Sequence, residues 1–246
     1  MANIKVDVVN ESTVVTDAQV QSLVTALQTQ IHRDFAPSWG IDADLKFISQ
    51  GSSIEPGAWQ LVVLDDSDQA GALGYHELTS DGMPLAKAFA GSDMKAGLEW
   101  TVTVSHELLE MLADPDINLA VFVQQTNTSG VLYAYEACDA CEDDSFGYTI
   151  DGSLLSDFVF PSWFESFRQQ GSTQFDYGKH ITKPFEILQG GYIATFDVTS
   201  GSGWKQITSY DEYPRLSQIR GRMRLDSRYE RRRLSRDKWK RSEKHR

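Results

Sequence analysis

The chain has 246 residues, of which 41% are apolar and 11% aromatic, so it can bury a large core in one large domain or two small ones. It contains no run of 18 apolar residues, and its N-terminal residues lack the basic and apolar regions of a signal peptide. The sequence therefore predicts neither a membrane span nor classical secretion, and we expect a cytoplasmic location. Cys138 and Cys141 are too few for a four-cysteine zinc site, and we interpret them as reduced thiols or a local pair.

Charge is distributed unevenly along the chain. The total is −12, but residues 214–246 carry a net charge of +10, which leaves −22 for residues 1–213. We therefore divide the chain into a domain at 1–213 and a basic, extended C-terminal arm at 214–246, because the arm has too few apolar residues to fold alone. Its clustered basic side chains are Arg231, Arg232, Arg233, Lys238, Lys240 and Arg241. Such an arm indicates an anionic partner, which could be nucleic acid, an acidic protein surface or the acidic body of the same chain, unless the arm only solubilises the chain.

The first ninety residues predict one helix and four or five strands. Residues 3–9 alternate between apolar and polar, as a half-buried strand does. Thr16 then precedes a run of apolar residues at helical spacing, and we expect a helix that Pro37 and Gly40 end. Residues 44–48 and 59–64 predict two further strands, and residues 74–76 and 85–90 predict two short strands around a turn.

The most informative stretch is residues 105–115, with the sequence Ser-His-Glu-Leu-Leu-Glu-Met-Leu-Ala-Asp-Pro. Its apolar residues predict a helix at about 99–113 that Asp114 and Pro115 end. His106 and Glu110 then lie one turn apart on one face, with Glu107 beside them. This HExxE pattern differs by one residue from the HExxH of zinc peptidases, in which two histidines bind zinc and the glutamate activates water. The alternative is an amphipathic helix whose polar face carries these residues by chance.

A zinc site of this kind needs a third protein ligand, and an acidic segment at residues 135–144 supplies candidates. Glu136 and Asp139 are three residues apart and would share a face on a helix. One could then bind the metal while the other orients His106. The alternatives are a solvated acidic turn or a weak calcium site, with Asp139, Glu142, Asp143 and Asp144 as ligands.

The remaining sequence predicts packed aromatic residues and a final hairpin. The aromatic residues that we expect in the core are Phe158, Phe160, Trp163, Phe164 and Phe167. His180, in a Gly-containing loop, is an alternative metal ligand. Residues 190–196 predict a strand, and residues 204–207 pair with it across a Gly-Ser turn.

Residues 74–76, 84–87, 105–115, 135–139, 156–164 and 184–192 together resemble zincin-like proteins of bacteria and phages that carry the HExxE variant. The resemblance extends from about residue 59 to about residue 240. It implies an α+β, zincin-type fold, in which a mixed twisted sheet with an antiparallel edge strand lies over the active-site helix. The two parts would be an N-terminal half at 1–115 and a smaller C-terminal half at 116–213. It also implies a metal at His106 and Glu110.

The leading hypothesis is a zinc-dependent metallopeptidase that acts on a peptide or protein substrate. His106 and Glu110 would bind zinc or another divalent cation, and Glu136 or Asp139 would complete the set. Glu107 would take a proton from the water that attacks the peptide carbonyl. Tyr75, His76 or a later tyrosine are candidates for stabilising the oxyanion.

The rival hypothesis is a non-catalytic zincin-fold subunit of a phage particle or a similar assembly, which would place the protein in the virion. In that case the basic arm docks on neighbouring proteins, and any metal only braces the fold. A nucleic-acid-binding module is a third hypothesis. The acidic body disfavours it, because residues 1–213 would repel phosphate.

Overall fold

The computed structural model describes residues 4–69, 71–200 and 203–209. Within these ranges the chain is α+β, with four α-helices and eleven strands. The predicted arm lies outside the described residues, together with its basic side chains Arg231, Arg232, Arg233, Lys238, Lys240 and Arg241. No helix in the described ranges is both long enough and apolar enough to cross a membrane.

The first sheet comes from the N-terminal part of the chain. Its strands are β1 (Ile4–Asn10), β2 (Ala43–Ile48), β3 (Trp59–Leu64), β4 (Gly74–Leu78) and β5 (Pro84–Phe89). They lie in the order β2-β1-β3-β5-β4, with β4 antiparallel to β5 at one edge and the other four strands parallel. All five strands are confirmed where their apolar patterns predicted them.

Two longer helices pack against this sheet. α1 (Asp17–Thr29) begins with the predicted cap, in which the Thr16 side chain and Gln19 form a capping box. The chain continues as a π-helix (Gln30–Phe35) and α2 (Ala36–Trp39), and it turns at Gly40 with φ 69°. Pro37 was expected to help end the helix, and this prediction was wrong. Proline is tolerated here because it lies in the first turn of α2, where its missing N–H is not needed.

α3 (Ala90–Ala96) was not predicted, whereas α4 (Trp100–Ala113) lies where the HExxE stretch predicted a helix. Asp114 follows α4, and its carboxylate accepts hydrogen bonds from the backbone N–H groups of Asn118 and Leu119, at 3.0 Å each. The chain therefore leaves α4 through an ordered turn that directs it toward the second sheet.

The C-terminal part contains a four-stranded antiparallel sheet and a hairpin. The sheet has the order β11-β10-β7-β6, and a separate hairpin joins β8 to β9. Their bounds are β6 (Ala120–Gln124), β7 (Gly130–Ala134), β8 (Tyr148–Ile150), β9 (Ser153–Leu155), β10 (Tyr192–Asp197) and β11 (Trp204–Thr208). The predicted pairing of β10 with β11 is confirmed.

One hydrophobic core joins the two predicted halves. Leu108 and Leu109 of α4 belong to the same buried cluster as Ala137 and Phe158, and α4 contacts β4, β5 and β9. The aromatic residues at 158–164 are buried or packed on buried residues, as expected. Phe167 is 74% exposed, so its assignment to the core was wrong: it lies beyond the 3₁₀ turn Pro161–Phe164 and faces solvent. Helix α4 thus lies inside the protein, between the sheet and the segment around residue 137.

Candidate metal centre

The candidate site is built on α4, whose polar residues face inward. Packing of Leu108, Leu109 and the apolar residues around them buries almost the whole helix. His106, Glu107 and Glu110 are 2%, 0% and 1% exposed. A chance amphipathic helix would turn these side chains to solvent, because burying an ionisable group is costly unless it is paired or binds a metal. The burial therefore excludes the solvated polar face as an explanation of the motif.

The one-turn spacing of the motif brings its imidazole and its carboxylate together. His106 Nε2 lies 3.0 Å from Glu110 Oε1, and Asp139 Oδ1 lies 3.3 Å from the same nitrogen. Neighbouring ligand atoms of a tetrahedral zinc ion lie about 3.4 Å apart, given metal–ligand distances of about 2.1 Å. Each of these two oxygens thus lies at nearly the spacing of neighbouring metal ligands from His106 Nε2.

The acidic segment reaches α4 through a tight turn. The backbone N–H of Cys138 donates to Glu110 Oε1 at 3.2 Å, and a 3₁₀ helix follows at Asp139–Cys141. Glu136 precedes this helix, so the expectation that Glu136 and Asp139 share a helical face was wrong. The turn is too short to include both residues, and they point into different groups of potential ligands.

Three groups of potential ligand atoms occur in the described part of the chain, and within each group the atoms lie within 4.8 Å of one another. All their members are buried. The groups are His106, Glu110 and Cys138; His106, Asp139 and Glu142; and His76, Glu110 and Glu136. Both predicted third ligands are therefore at the site, Asp139 beside His106 and Glu136 beside His76.

His76 is the residue whose role the sequence did not predict. It lies on β4 and is 7% exposed, with Nδ1 3.7 Å from Glu107 Oε2 and 3.9 Å from Glu110 Oε2. Side chains alternate along a strand, so Gly74 and His76 share the face that packs on α4. A Cβ atom on Gly74 would lie 2.7 Å from Glu107 Cγ. A glycine two residues before a histidine, on an edge strand, was the available signal for this contact.

The Tyr75 side chain points away from α4, so it does not fit the oxyanion-stabilising role that the sequence suggested for it. Its hydroxyl donates to Asp68 at 2.6 Å and accepts from Lys87 at 2.7 Å, and its ring packs on Phe89. These contacts hold Tyr75 on the far side of β4 from α4. Of the two neighbours proposed for that role, only His76 faces the helix.

Carboxylates dominate the electrostatics of the site. Burial lowers the pKa of His76, but the Glu107 carboxylate beside it and the charges of Glu136 and Glu110 outweigh this effect and raise the pKa to about 9. A buried imidazole that is driven to hold a proton marks a strongly negative environment. Such an environment also attracts a metal cation, which would replace the proton.

The other proposed ligands lie elsewhere. His180 belongs to none of the three groups, and its ring packs 5.1 Å from the ring of Phe146. Asp143 and Asp144 support turns, because Asp143 accepts from the Ser145 N–H at 3.0 Å and Asp144 from the Glu99 N–H at 2.9 Å. The four-residue calcium site considered from the sequence is thus divided between two places.

The two cysteines do not form a disulfide and are buried. Burial, with the nearby charge of Asp157, raises the pKa of Cys141 well above its usual value. Cys141 is therefore a thiol that packs in the core, whereas Cys138 belongs to one potential ligand group. Comparisons of the chain with family models, with curated proteins and with solved structures found no match.

Proposed function

We propose that the protein is a zincin-like, metal-dependent peptidase in which His106, Glu110 and Asp139 hold zinc or another divalent cation. The observation that carries this proposal is the position of two buried carboxylate oxygens beside one buried imidazole, with Glu110 Oε1 and Asp139 Oδ1 at 3.0 and 3.3 Å from His106 Nε2. The position of the motif supports it, because α4 packs beneath a mixed sheet with an antiparallel edge strand.

Asp139 is a better third ligand than Glu136 for this cation. It lies within ion-pair distance of His106, whereas Glu136 groups with His76. The set would be one imidazole and two carboxylates. More oxygen ligands than in a two-histidine site favour a harder cation, so manganese is a candidate beside zinc.

Glu107 is the residue that we assign to proton transfer. It follows His106 directly and is fully buried, and its carboxylate lies 3.7 Å from His76 Nδ1. When bound, the cation would acidify a water molecule and polarise the substrate carbonyl. Glu107 would take the proton from that water and pass it to the leaving amine, and His76 would hold the Glu107 carboxylate in place.

The sheet edge supports a peptide as the substrate. β4 is the terminal strand of its sheet, and it carries His76 on the face toward α4. An extended peptide that pairs with an edge strand gains backbone hydrogen bonds without any particular sequence. A peptide aligned along β4 would therefore run past the residues that carry the chemistry.

Replacement of Glu107 tests the proposal. We expect Glu107→Gln to retain its metal and to lose at least about 100-fold in peptide hydrolysis, the usual contribution of a general base. Hydrolysis would be measured with a library of quenched fluorescent peptides, and metal content by elemental analysis of the same samples. Glu99→Gln, the same change at an exposed position just before α4, is the matched control and should behave as wild type. Hydrolysis by Glu107→Gln at the wild-type rate would exclude this role.

The burial of the ligands supports a second candidate function. Ligands that are all at most 7% exposed also suit a structural cation, as in a non-catalytic zincin-fold subunit of a phage particle or a similar assembly. Such a subunit would dock through its basic arm. Chelation would destabilise it, and no peptide in the library would be cleaved by wild type or by either variant.

A further inference from the structure

We infer that the centre holds two divalent cations bridged by Glu110, the second in a site formed by His76, Glu110 and Glu136. This inference rests on the proposed function, because it adds a cation to the same centre. It differs from that function in giving His76 and Glu136 a direct role as ligands.

The bridging position of Glu110 is the first observation. Its Oε1 lies 3.0 Å from His106 Nε2, whereas its Oε2 lies 3.9 Å from His76 Nδ1. The two oxygens of one carboxylate thus face two different imidazoles. A carboxylate with one cation on each oxygen is a common bridge in two-metal sites, where the ions are about 3.5–4 Å apart.

The remaining potential ligands divide between the same two sides. Asp139 and Glu142 group with His106, and Glu136 groups with His76. Glu110 belongs to one group with each histidine, and in the described ranges no group contains both histidines. Two separate donor sets that meet at one carboxylate fit two ions better than one.

His76 supplies an independent observation. Its ring is 7% exposed, and among the described residues Nε2 has no hydrogen-bond partner. Nδ1 is the nitrogen that faces Glu107 and Glu110, at 3.7 and 3.9 Å, so Nδ1 would bind the cation. Nε2 would then carry the proton of the ring.

The charge of the centre fits two cations. Glu107, Glu110, Glu136, Asp139 and Glu142 are all buried, at 0 to 7% exposure. Like charges repel strongly in a medium of low polarity, and each divalent cation offsets two of them. Two cations and neutral imidazoles would leave the centre close to neutral, as buried sites usually are.

Metal stoichiometry tests the inference on the full-length protein. The chain would be loaded with Zn²⁺, passed through a desalting column and measured by elemental analysis and native mass spectrometry. We expect about two zinc ions per wild-type chain and about one in Glu136→Gln, an isosteric change. His76→Gln removes another ligand of the same proposed site, so the test does not depend on the folding of one variant. Near-ultraviolet circular dichroism checks the fold of each variant. His32→Gln, at an exposed histidine, is the control and should keep two.

A second measurement tests whether Glu110 bridges two ions. Loaded with Mn²⁺ in place of Zn²⁺, the wild type should give the electron paramagnetic resonance spectrum of two exchange-coupled ions, and Glu136→Gln that of one isolated ion. One zinc per wild-type chain, unaffected by Glu136→Gln and His76→Gln but lost in His106→Gln, would overturn the second site and leave the proposed function intact. A wild-type protein that retains no metal would overturn both.

Discussion

At the residue scale, a pair of buried carboxyl groups lies outside the three groups of potential metal ligands. Asp157 and Asp176 are both 0% exposed. Asp157 Oδ1 accepts from the backbone N–H groups of Phe158 and Gly178, at 2.8 and 2.9 Å. Burial, the charge of Asp176 and the hydrogen bond between the two carboxyl groups raise the pKa of Asp157 to about 8. Asp157 thus keeps its proton at neutral pH.

The raised pKa of Asp157 makes folding stability depend on pH. A carboxyl group with a raised pKa keeps its proton in the folded chain, while in the unfolded chain it loses the proton above about pH 4. Stability from this pair is therefore complete below about pH 4 and decreases as the pH rises to about 8, by at most about 1.4 kcal/mol per pH unit. Two further titratable residues lie beside the pair. One is His180, whose backbone N–H donates to Asp176, and the other is Cys141.

Asp157→Asn should flatten this pH dependence. Asparagine cannot ionise, its oxygen can still accept the two backbone hydrogen bonds, and its amide can donate to Asp176. Urea unfolding at pH 5, 6.5 and 8 would measure the free energy of unfolding, and the variant should lose less of it than wild type over this range. Asp151→Asn, on the exposed β8–β9 turn, is the control and should follow wild type. Equal slopes for Asp157→Asn and wild type would contradict a raised pKa of Asp157.

The site residues that the sequence could predict are those whose proximity is local. His106, Glu107 and Glu110 lie within one helical turn, so their spacing alone places them together. Asp139 was found because a third ligand was sought in the next acidic segment. His76 and its pairing with Glu136 depend on β4 packing against α4, a contact between residues far apart in the chain. Spacing along the sequence does not report such a contact.

At the element scale, the packing of β4 on α4 sets the position of Glu107. Gly74 allows this close approach, because a Cβ there would lie 2.7 Å from Glu107 Cγ and from Thr103 Cγ2. Real Cβ contacts are longer, so any side chain at residue 74 must displace Glu107, Thr103 or the strand. The position of Glu107, the proposed general base, therefore depends on a residue that carries no side chain.

Gly74→Ala should impair hydrolysis more than it impairs folding. We expect a loss of about 1–3 kcal/mol in the free energy of unfolding, the usual cost of overpacking, together with a fall in peptide hydrolysis. The double variant Gly74→Ala/Thr103→Ser removes the Thr103 methyl group and keeps the hydroxyl that donates to Asp93 at 2.9 Å. It should recover part of the stability but little of the activity, because the contact with Glu107 persists. Full recovery of activity in the double variant would show that Glu107 is not displaced.

Most helices and strands were predictable, because the sequence patterns that specify them are periodic and involve residues close together in the chain. The strands of the first sheet, α1, α4 and the β10–β11 hairpin all follow from apolar spacing and turn residues. The π-helix and α3 were missed because tertiary contacts favour them. Gln30 of the π-helix donates to Tyr148 Oη at 3.1 Å and to the Ser156 carbonyl at 3.0 Å, and it accepts from Ser105 at 2.7 Å. These partners come from three distant parts of the chain.

At the scale of the whole molecule, the two parts of the chain carry opposite net charges. Residues 1–213 carry −22 and residues 214–246 carry +10. The described core contains residues between Val6 and Trp204, so removal of residues 214–246 takes away none of its members. The proposed chemistry therefore belongs to the acidic body, and any binding to anionic partners belongs to the basic segment.

Truncation after Tyr213 should separate these two properties. The shortened protein should keep its metal content and its peptide hydrolysis, because every residue assigned to the centre lies between His76 and Glu142. It should no longer bind heparin or an anionic protein surface, since its net charge changes from −12 to −22. Full-length protein should bind heparin resin at low salt and elute as salt rises, because released counterions drive such binding. Heparin chromatography and elemental analysis of both forms measure the two effects. If the truncated protein loses its metal, the basic segment contributes to the centre; if it still binds heparin, the binding surface lies on the body.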